Sequence, residues 1–213
     1  RDHCQGPRLA EFLDSLATRV PRARTLVVLT ADHGVQSFPE ATPGKGRVWW
    51  GDLAGSGQDF GNGLLSADTV AMRAEGLRVD SVARALATVA ASRRGVARVF
   101  TPATLAAAPP GDTAAALWRN TVPPGYGWLI AGVLESGFVW SPAGQRSAEH
   151  GSTAPEDRAV PVAFLGPGIE RTIIHRPVWT VDIAPTLAAL LGVRPEGRLD
   201  GEPLAEIVGV RYQ

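Results

Sequence analysis

Four histidines stand in this chain, and three of them, His3, His33 and His150, lie beside glycine-containing, loop-like sequence; His175 is the fourth. His33 is the most informative. It follows Asp32 just after the run Thr25–Thr30, and Gly34 comes next. An Asp oxygen beside a His nitrogen is a good donor pair for zinc, and the carboxylate adds the negative charge that holds a dication. Glycine at position 34 lets the backbone turn sharply after the pair. His150 stands in Glu149-His150-Gly151-Ser152, and His3 in Arg1-Asp2-His3-Cys4. Taken alone, an Asp-His pair more often caps a turn beside an ordinary loop histidine.

Other polar residues have simpler readings. His175, between Glu170 and Trp179, reads as a surface histidine. Asp157 and Asp182 precede buried segments and read as caps or backbone anchors. Glu149 and Glu135 could reach the outer shell of a site around His150. Ser152 reads as a partner within its own turn, and Thr30 as the structural end of a strand. Trp49 and Trp50 divide evenly between an aromatic wall for a substrate and packing of their own loop. Cys4 is the single cysteine, so no internal disulfide or cysteine-based zinc site can form. A Cys4-His3 nucleophile pair would need an orienting partner and a pocket.

The elements that must position these residues alternate in type. Residues 8–20 place Leu9, Phe12, Leu13, Leu16 and Val20 at helical spacing, and Pro21 ends the pattern. Thr25–Thr30 is a continuous apolar run of the kind buried on both faces of a parallel sheet, as is Val160–Leu165. From Val35 to about Ser66 the chain is rich in Gly, Pro and polar residues, a long loop that is either functional or holds small elements the pattern does not place. Ala67–Gly76 is a short helical piece, 79–92 an amphipathic helix, and 96–101 a short strand. After a Pro- and Ala-rich stretch, Asp112–Asn120 reads as a helix, then Tyr126–Val133 and Leu134–Trp140 as strands. Thr180–Leu191 is a helix with Pro185 in its first turn and Gly192 at its C-terminal end. The expected class is α/β, with a mostly parallel central sheet flanked by helices.

Bulk composition narrows the function. With 213 residues one domain, 1–213, is expected. Lys plus Arg and Asp plus Glu number 21 each, so the net charge is zero and gives no footprint for a nucleic-acid polymer or an anionic membrane. No apolar run approaches the ~20 residues that span a bilayer. Arg1-Asp2-His3-Cys4 has neither an initiator Met nor the apolar core of a signal peptide, which fits a processed protein or a fragment of a longer one.

Four segments, in order, resemble one family. Thr25–Gly34, TLVVLTADHG, is similar to the metal-binding strand of the alkaline phosphatase superfamily, especially its type I phosphodiesterase/nucleotide pyrophosphatase branch and related bacterial phosphatases. His3-Cys4-Gln5-Gly6-Pro7 resembles the family's His-x-x-Gly-Pro. Glu149–Ser152, then Asp157, then Val160–Ile169 resembles its His-Gly-Ser/Thr … Asp-x-x-Val-Pro … Gly-x-Gly-Ile segment, and Val181–Gly192 resembles the helix that closes the domain.

The resemblance implies a partial alkaline-phosphatase-like core and assigns roles. Asp32 and His33 match ligands of one metal, and His3 and His150 match ligands of a second. Two zinc ions are implied, with manganese or iron possible. The implied reaction is attack on phosphorus by a Ser or Thr, followed by hydrolysis of the phosphoenzyme. That nucleophile and further Asp ligands match no residue here and are expected before Arg1, so the chain alone is expected to be inactive. The implied partner is a small-molecule phosphate ester or nucleotide, with no nucleic-acid polymer and no membrane segment, and the implied location is extracytoplasmic. The alternative is a non-catalytic domain of the same fold, serving binding or structure. Sulfatases share the fold but more often pair Asp with Asn at the Asp32-His33 position.

Overall fold

The computed structural model describes residues 5–53, 58–59, 63–142, 144–145 and 147–209. In chain order its elements are α1 (Gln5–Ala17), β1 (Val27–Leu29), β2 (Arg47–Val48), β3 (Gln58–Asp59), β4 (Leu64–Ser66), α2 (Thr69–Ala74), α3 (Val79–Ala91), β5 (Val96–Phe100), α4 (Pro102–Ala107), α5 (Thr113–Thr121), β6 (Trp128–Leu134), β7 (Val139–Trp140), α6 (Pro155–Arg158), β8 (Ala163–Leu165), α7 (Ile183–Leu191) and α8 (Ala205–Val208). They belong to two compact units, one made of Arg1–Ala31 with Val160–Gln213, the other of Asp32–Ala159.

In the 32–159 unit a four-stranded antiparallel sheet runs in the order β3-β4-β6-β5. A bulge sets which side chains of β6 share a face: Leu65 pairs with Ile130 but Ser66 pairs with Trp128, so Leu129 is the extra residue. Trp128 and Ala131 consequently both pack with Leu64, Phe100, Leu105 and Trp118 under α4 and α5. Ile130 joins Trp50, Leu65, Ala90 and Trp140 in a second cluster. Helix α3 serves that cluster and a third, because Val79, Val82, Ala83, Leu86, Ala87 and Ala90 recur at three- and four-residue steps. Burying each large apolar side chain of this kind contributes about 1.5–3 kcal/mol. β2 runs parallel to β7, and Trp50 meets Trp140 edge to face, ring centroids 4.6 Å apart.

In the other unit β1 pairs antiparallel with β8, Val27 opposite Leu165 and Leu29 opposite Ala163. Helix α7 ends at Gly192, whose φ of 64° makes the left-handed C-terminal cap that glycine permits. Asp182 anchors its start, accepting from the backbone N–H groups of Trp179 and Glu202. Thr186 donates to the Asp182 carbonyl and accepts from Leu204 N–H, which fixes α8 beside α7. A cleft of about 980 Å³ is lined by residues of α7, α8 and their neighbours and contains no histidine.

The α/β class holds, but the expected mostly parallel sheet does not. Among the described residues the sheets are mixed: β1–β8, β3–β4, β4–β6 and β5–β6 are antiparallel and β2–β7 alone is parallel. A continuous apolar run reports burial on two faces, which parallel strands share, and carries no information about the direction of a partner. β1 shows the weakness of that inference, since Leu29 and Leu165 across the pair are both exposed. The Pro- and Ala-rich stretch conceals α4, although Thr101 followed by Pro102 is a helix-start signal.

Candidate metal site

Asp32 and His33 open the 32–159 unit, directly after β1 in sequence. The His33 backbone N–H donates to Asp32 Oδ1 at 3.0 Å. His33 Nδ1 lies 2.7 Å from the Gly34 carbonyl oxygen. A carbonyl only accepts, so Nδ1 carries a proton, and in the neutral form of the ring the lone pair lies at Nε2. That Nε2 is 3.6 Å from Asp32 Oδ2. Two donors held at ~2.0–2.1 Å in a tetrahedral zinc site stand roughly 3.3 Å apart, so the pair fits one ion with little adjustment. The side chains of His33 and Asp32 are 40% and 85% exposed, so the pair is open to a ligand.

His150 meets this pair from far along the chain. Its ring stacks on that of His33, centroids 3.5 Å apart and planes 13° from parallel. Imidazole lone pairs lie in the ring plane. Two rings stacked with nearly parallel planes therefore do not converge their lone pairs on one shared ion. The donor chemistry is right for a metal, but among the described residues no three His, Cys, Asp or Glu side chains are grouped to hold one. His3 and Cys4 lie outside the described residues. His175 is exposed in the other unit, as a surface histidine would be.

The loops that carry the two imidazoles are fixed from behind. Gly34 is not in the left-handed region, so the sharp-turn reading gives way to a different reason: close approach. A Cβ there would fall well under 3 Å from the Glu156 carbonyl oxygen and 3.0 Å from that of Ala159. Gly34 N–H donates to the Asp157 carbonyl at 2.8 Å, and Gln36 N–H to the Glu149 carbonyl at 3.0 Å. The Asp157 carboxylate accepts from Ser152 N–H at 2.8 Å and from Gln36 Nε2 at 3.2 Å. On the other side of His150, Glu149 accepts from the hydroxyls of Ser141 and Ser147. The buried Arg47 guanidinium lies 3.8 Å from Glu149 and makes a two-pronged bond to Glu40.

Asp157, Asp182 and Ser152 thus hold backbone, as their sequence positions suggest. Gln36 and Arg47 gave no such sign. Trp50 is 1% exposed and belongs to the core, whereas Trp49 is 37% exposed. An aromatic wall built by both residues is therefore ruled out.

Comparison with known proteins bears on the fold. No family model matches the sequence. The chain is similar to Alkaline phosphatase PafA of Elizabethkingia meningoseptica, 26% identical over 231 residues, covering 94% of this chain and 40% of the relative. It superposes on the crystal structure of wild-type alkaline phosphatase PafA with a TM-score of 0.79 at 21% identity, covering 95% of this chain and 42% of that one. A substituted mutant of PafA gives a TM-score of 0.80 at 21% identity, with 95% and 41% covered. The fold is therefore a partial alkaline-phosphatase-like core, and the chain spans about two fifths of the length of these relatives.

Proposed function

We propose that this chain carries metal ligands of a two-metal phosphoester hydrolase of the alkaline phosphatase superfamily, on the phosphodiesterase/nucleotide pyrophosphatase-like branch that its motifs resemble. The observation that carries the reading is the stacked His33–His150 pair with the Asp32 carboxylate alongside. Asp32 and His33 would hold one ion, and His150 with His3 its neighbour. The imidazole and carboxylate set suits zinc and also accepts manganese or iron. When bound, two such ions about 3.5–4 Å apart polarise the oxygens of the ester and lower the pKa of bound water.

The chain's own residues prepare the site. The Gly34 carbonyl selects the His33 tautomer that leaves Nε2 free. The His33 N–H occupies Asp32 Oδ1, leaving Oδ2 toward the imidazole. The openness of both side chains admits a small-molecule phosphate ester or a nucleotide. On this reading no residue of the chain matches the Ser or Thr nucleophile, and the chain alone is expected to be inactive. An extracytoplasmic location goes with the same family reading, and no helix among the described residues is long and apolar enough to cross a membrane. The second reading, a non-catalytic domain of this fold, draws on the lack of a three-donor group among the described residues.

p-Nitrophenol release from p-nitrophenyl phosphate and from bis(p-nitrophenyl) phosphate by the full-length polypeptide, before and after chelation, separates these readings. Chelation is expected to abolish hydrolysis and zinc to restore it, with His33→Asn and His150→Asn each lowering the rate by about 100-fold or more, beyond the ~10–100-fold of outer-shell changes. Hydrolysis indifferent to a chelator overturns the two-metal reading. No hydrolysis of either ester favours the non-catalytic domain.

A further inference from the structure

Two loops of the 32–159 unit, 33–36 and 149–152, meet α6 behind the imidazole pair. One residue of α6 bonds to both. Asp157 is 4% exposed; its backbone carbonyl accepts from Gly34 N–H, and its Oδ2 accepts from Ser152 N–H and Gln36 Nε2. Gln36, 5% exposed, closes the figure: its backbone N–H reaches the Glu149 carbonyl, and its amide also donates to Ser152 Oγ at 3.0 Å. Ser152 Oγ in turn accepts from Ala154 N–H. The ties land on the residue after His33 and on positions 149 and 152 around His150, although Gln36 and Ser152 are 116 residues apart in sequence.

We propose that Asp157, working through Gln36, is the positioning residue that holds the His33 and His150 loops in register, so that the two imidazoles stay stacked. The geometry gives each partner its part. The carboxylate's hydrogen bonds go to Ser152 N–H and Gln36 Nε2 and not to a ring, so it acts on position and not on chemistry. The bonds to Ser152 N–H and Gln36 Nε2 are charge-assisted and buried, where such bonds are strong and their loss leaves N–H donors without partners. Both carboxylate bonds run through Oδ2, while Oδ1 has no hydrogen-bond partner. An asparagine whose carbonyl takes the place of Oδ2 keeps both bonds while losing the charge and placing its NH2 at the buried Oδ1 position. Removing the tie frees two loops whose ordering is otherwise supported on one side by Glu149 and Arg47. Outer-shell partners of this kind typically change metal affinity by ~10–100-fold when removed. That consequence for metal binding rests on the proposed function; the hold on the imidazoles does not.

The test uses the full-length polypeptide without metal and then with zinc. Ring stacking at 3.5 Å shifts the ring-proton NMR resonances of both histidines, and these report the pairing directly. Asp157→Ala and Gln36→Met are expected to collapse those shifts toward ordinary histidine values, with Asp157→Asn retaining most of them. Zinc affinity, read by competition with a chelator, is expected to fall about 10–100-fold in the first two variants and less than threefold in the third. Should Asp157→Ala not fold, Gln36→Met and Asp157→Asn carry the comparison. Histidine shifts unchanged in Gln36→Met overturn the positioning role and leave Asp157 an anchor of α6 alone. Collapsed shifts in a protein whose unsubstituted form binds no zinc uphold the positioning role and overturn the metal reading instead.

Discussion

Gly34→Ala probes the architecture of the site at its tightest point. A methyl there meets the backbone of residues 156–159: the Glu156 carbonyl oxygen well inside contact range, the Ala159 carbonyl oxygen at 3.0 Å and the Glu156 carbonyl carbon at 3.1 Å. Ordinary carbon contacts begin near ~3.5 Å, so one segment must retreat by on the order of 1 Å or more. Backbone cannot rotate out of the way as a side chain can. Overpacking of this kind costs about 1–3 kcal/mol. The same retreat stretches the 2.8 Å bond from Gly34 N–H to the Asp157 carbonyl beyond hydrogen-bonding range, adding roughly 0.5–1.5 kcal/mol. The sum is about 1.5–4.5 kcal/mol of destabilisation, measurable as a lower urea midpoint at unchanged slope. Gly6→Ala is the matched control, because a Cβ on Gly6, within α1, meets nothing within 4 Å. Alanine there is expected to be neutral or stabilising by up to ~1 kcal/mol. A Gly34→Ala midpoint within error of the parent would refute the close-approach argument and, with it, the placement of the His33 loop against α6.

Other outcomes follow from the same structure. Trp50→Ala should cost about 3–5 kcal/mol as a buried aromatic truncation, and Trp49→Ala under ~1 kcal/mol; equal losses in urea denaturation would contradict their assignment to core and surface. Asp112 caps α5 through the Ala115 N–H and pairs with Arg98, and both interactions hold its carboxyl below the ordinary value of 3.8. A lowered folded-state pKa gives stability that is present above 3.8 and lost as pH falls through the folded value. The stability difference between parent and Asp112→Asn should therefore shrink as the solution is acidified below that value; a constant difference down to pH ~2 would show that the charge is not responsible. Asp182→Ala should loosen α7 and α8 together, seen as faster amide exchange at Trp179, Glu202 and Leu204; exchange unchanged at Glu202 would contradict the anchor.

What the sequence makes legible divides along physical lines. Asp32-His33-Gly34 is readable because adjacent residues carry the donor chemistry, and α3 because its apolar spacing is purely local. Asp157 and Asp182 are recognisable as anchors, since a carboxylate before a buried segment has backbone N–H groups to satisfy. Gln36 and Arg47 are not readable. Each is a polar residue in Gly- and Pro-rich sequence, and only the tertiary arrangement buries it. Strand direction is hidden for a related reason: the apolar runs at 25–30 and 160–165 state that a strand is apolar, not which way its neighbour points. The bulge at Leu129, which redistributes β6 between two clusters, leaves no mark in residue type either.

Anomalous diffraction at the zinc edge, on crystals of the full-length polypeptide grown with zinc, asks the central question most directly. The account predicts two peaks about 4 Å apart, one bonded to Asp32 and His33 Nε2 and the other to a ring nitrogen of His150. Zinc density that avoids both imidazoles, or a single ion bridging them, would contradict it.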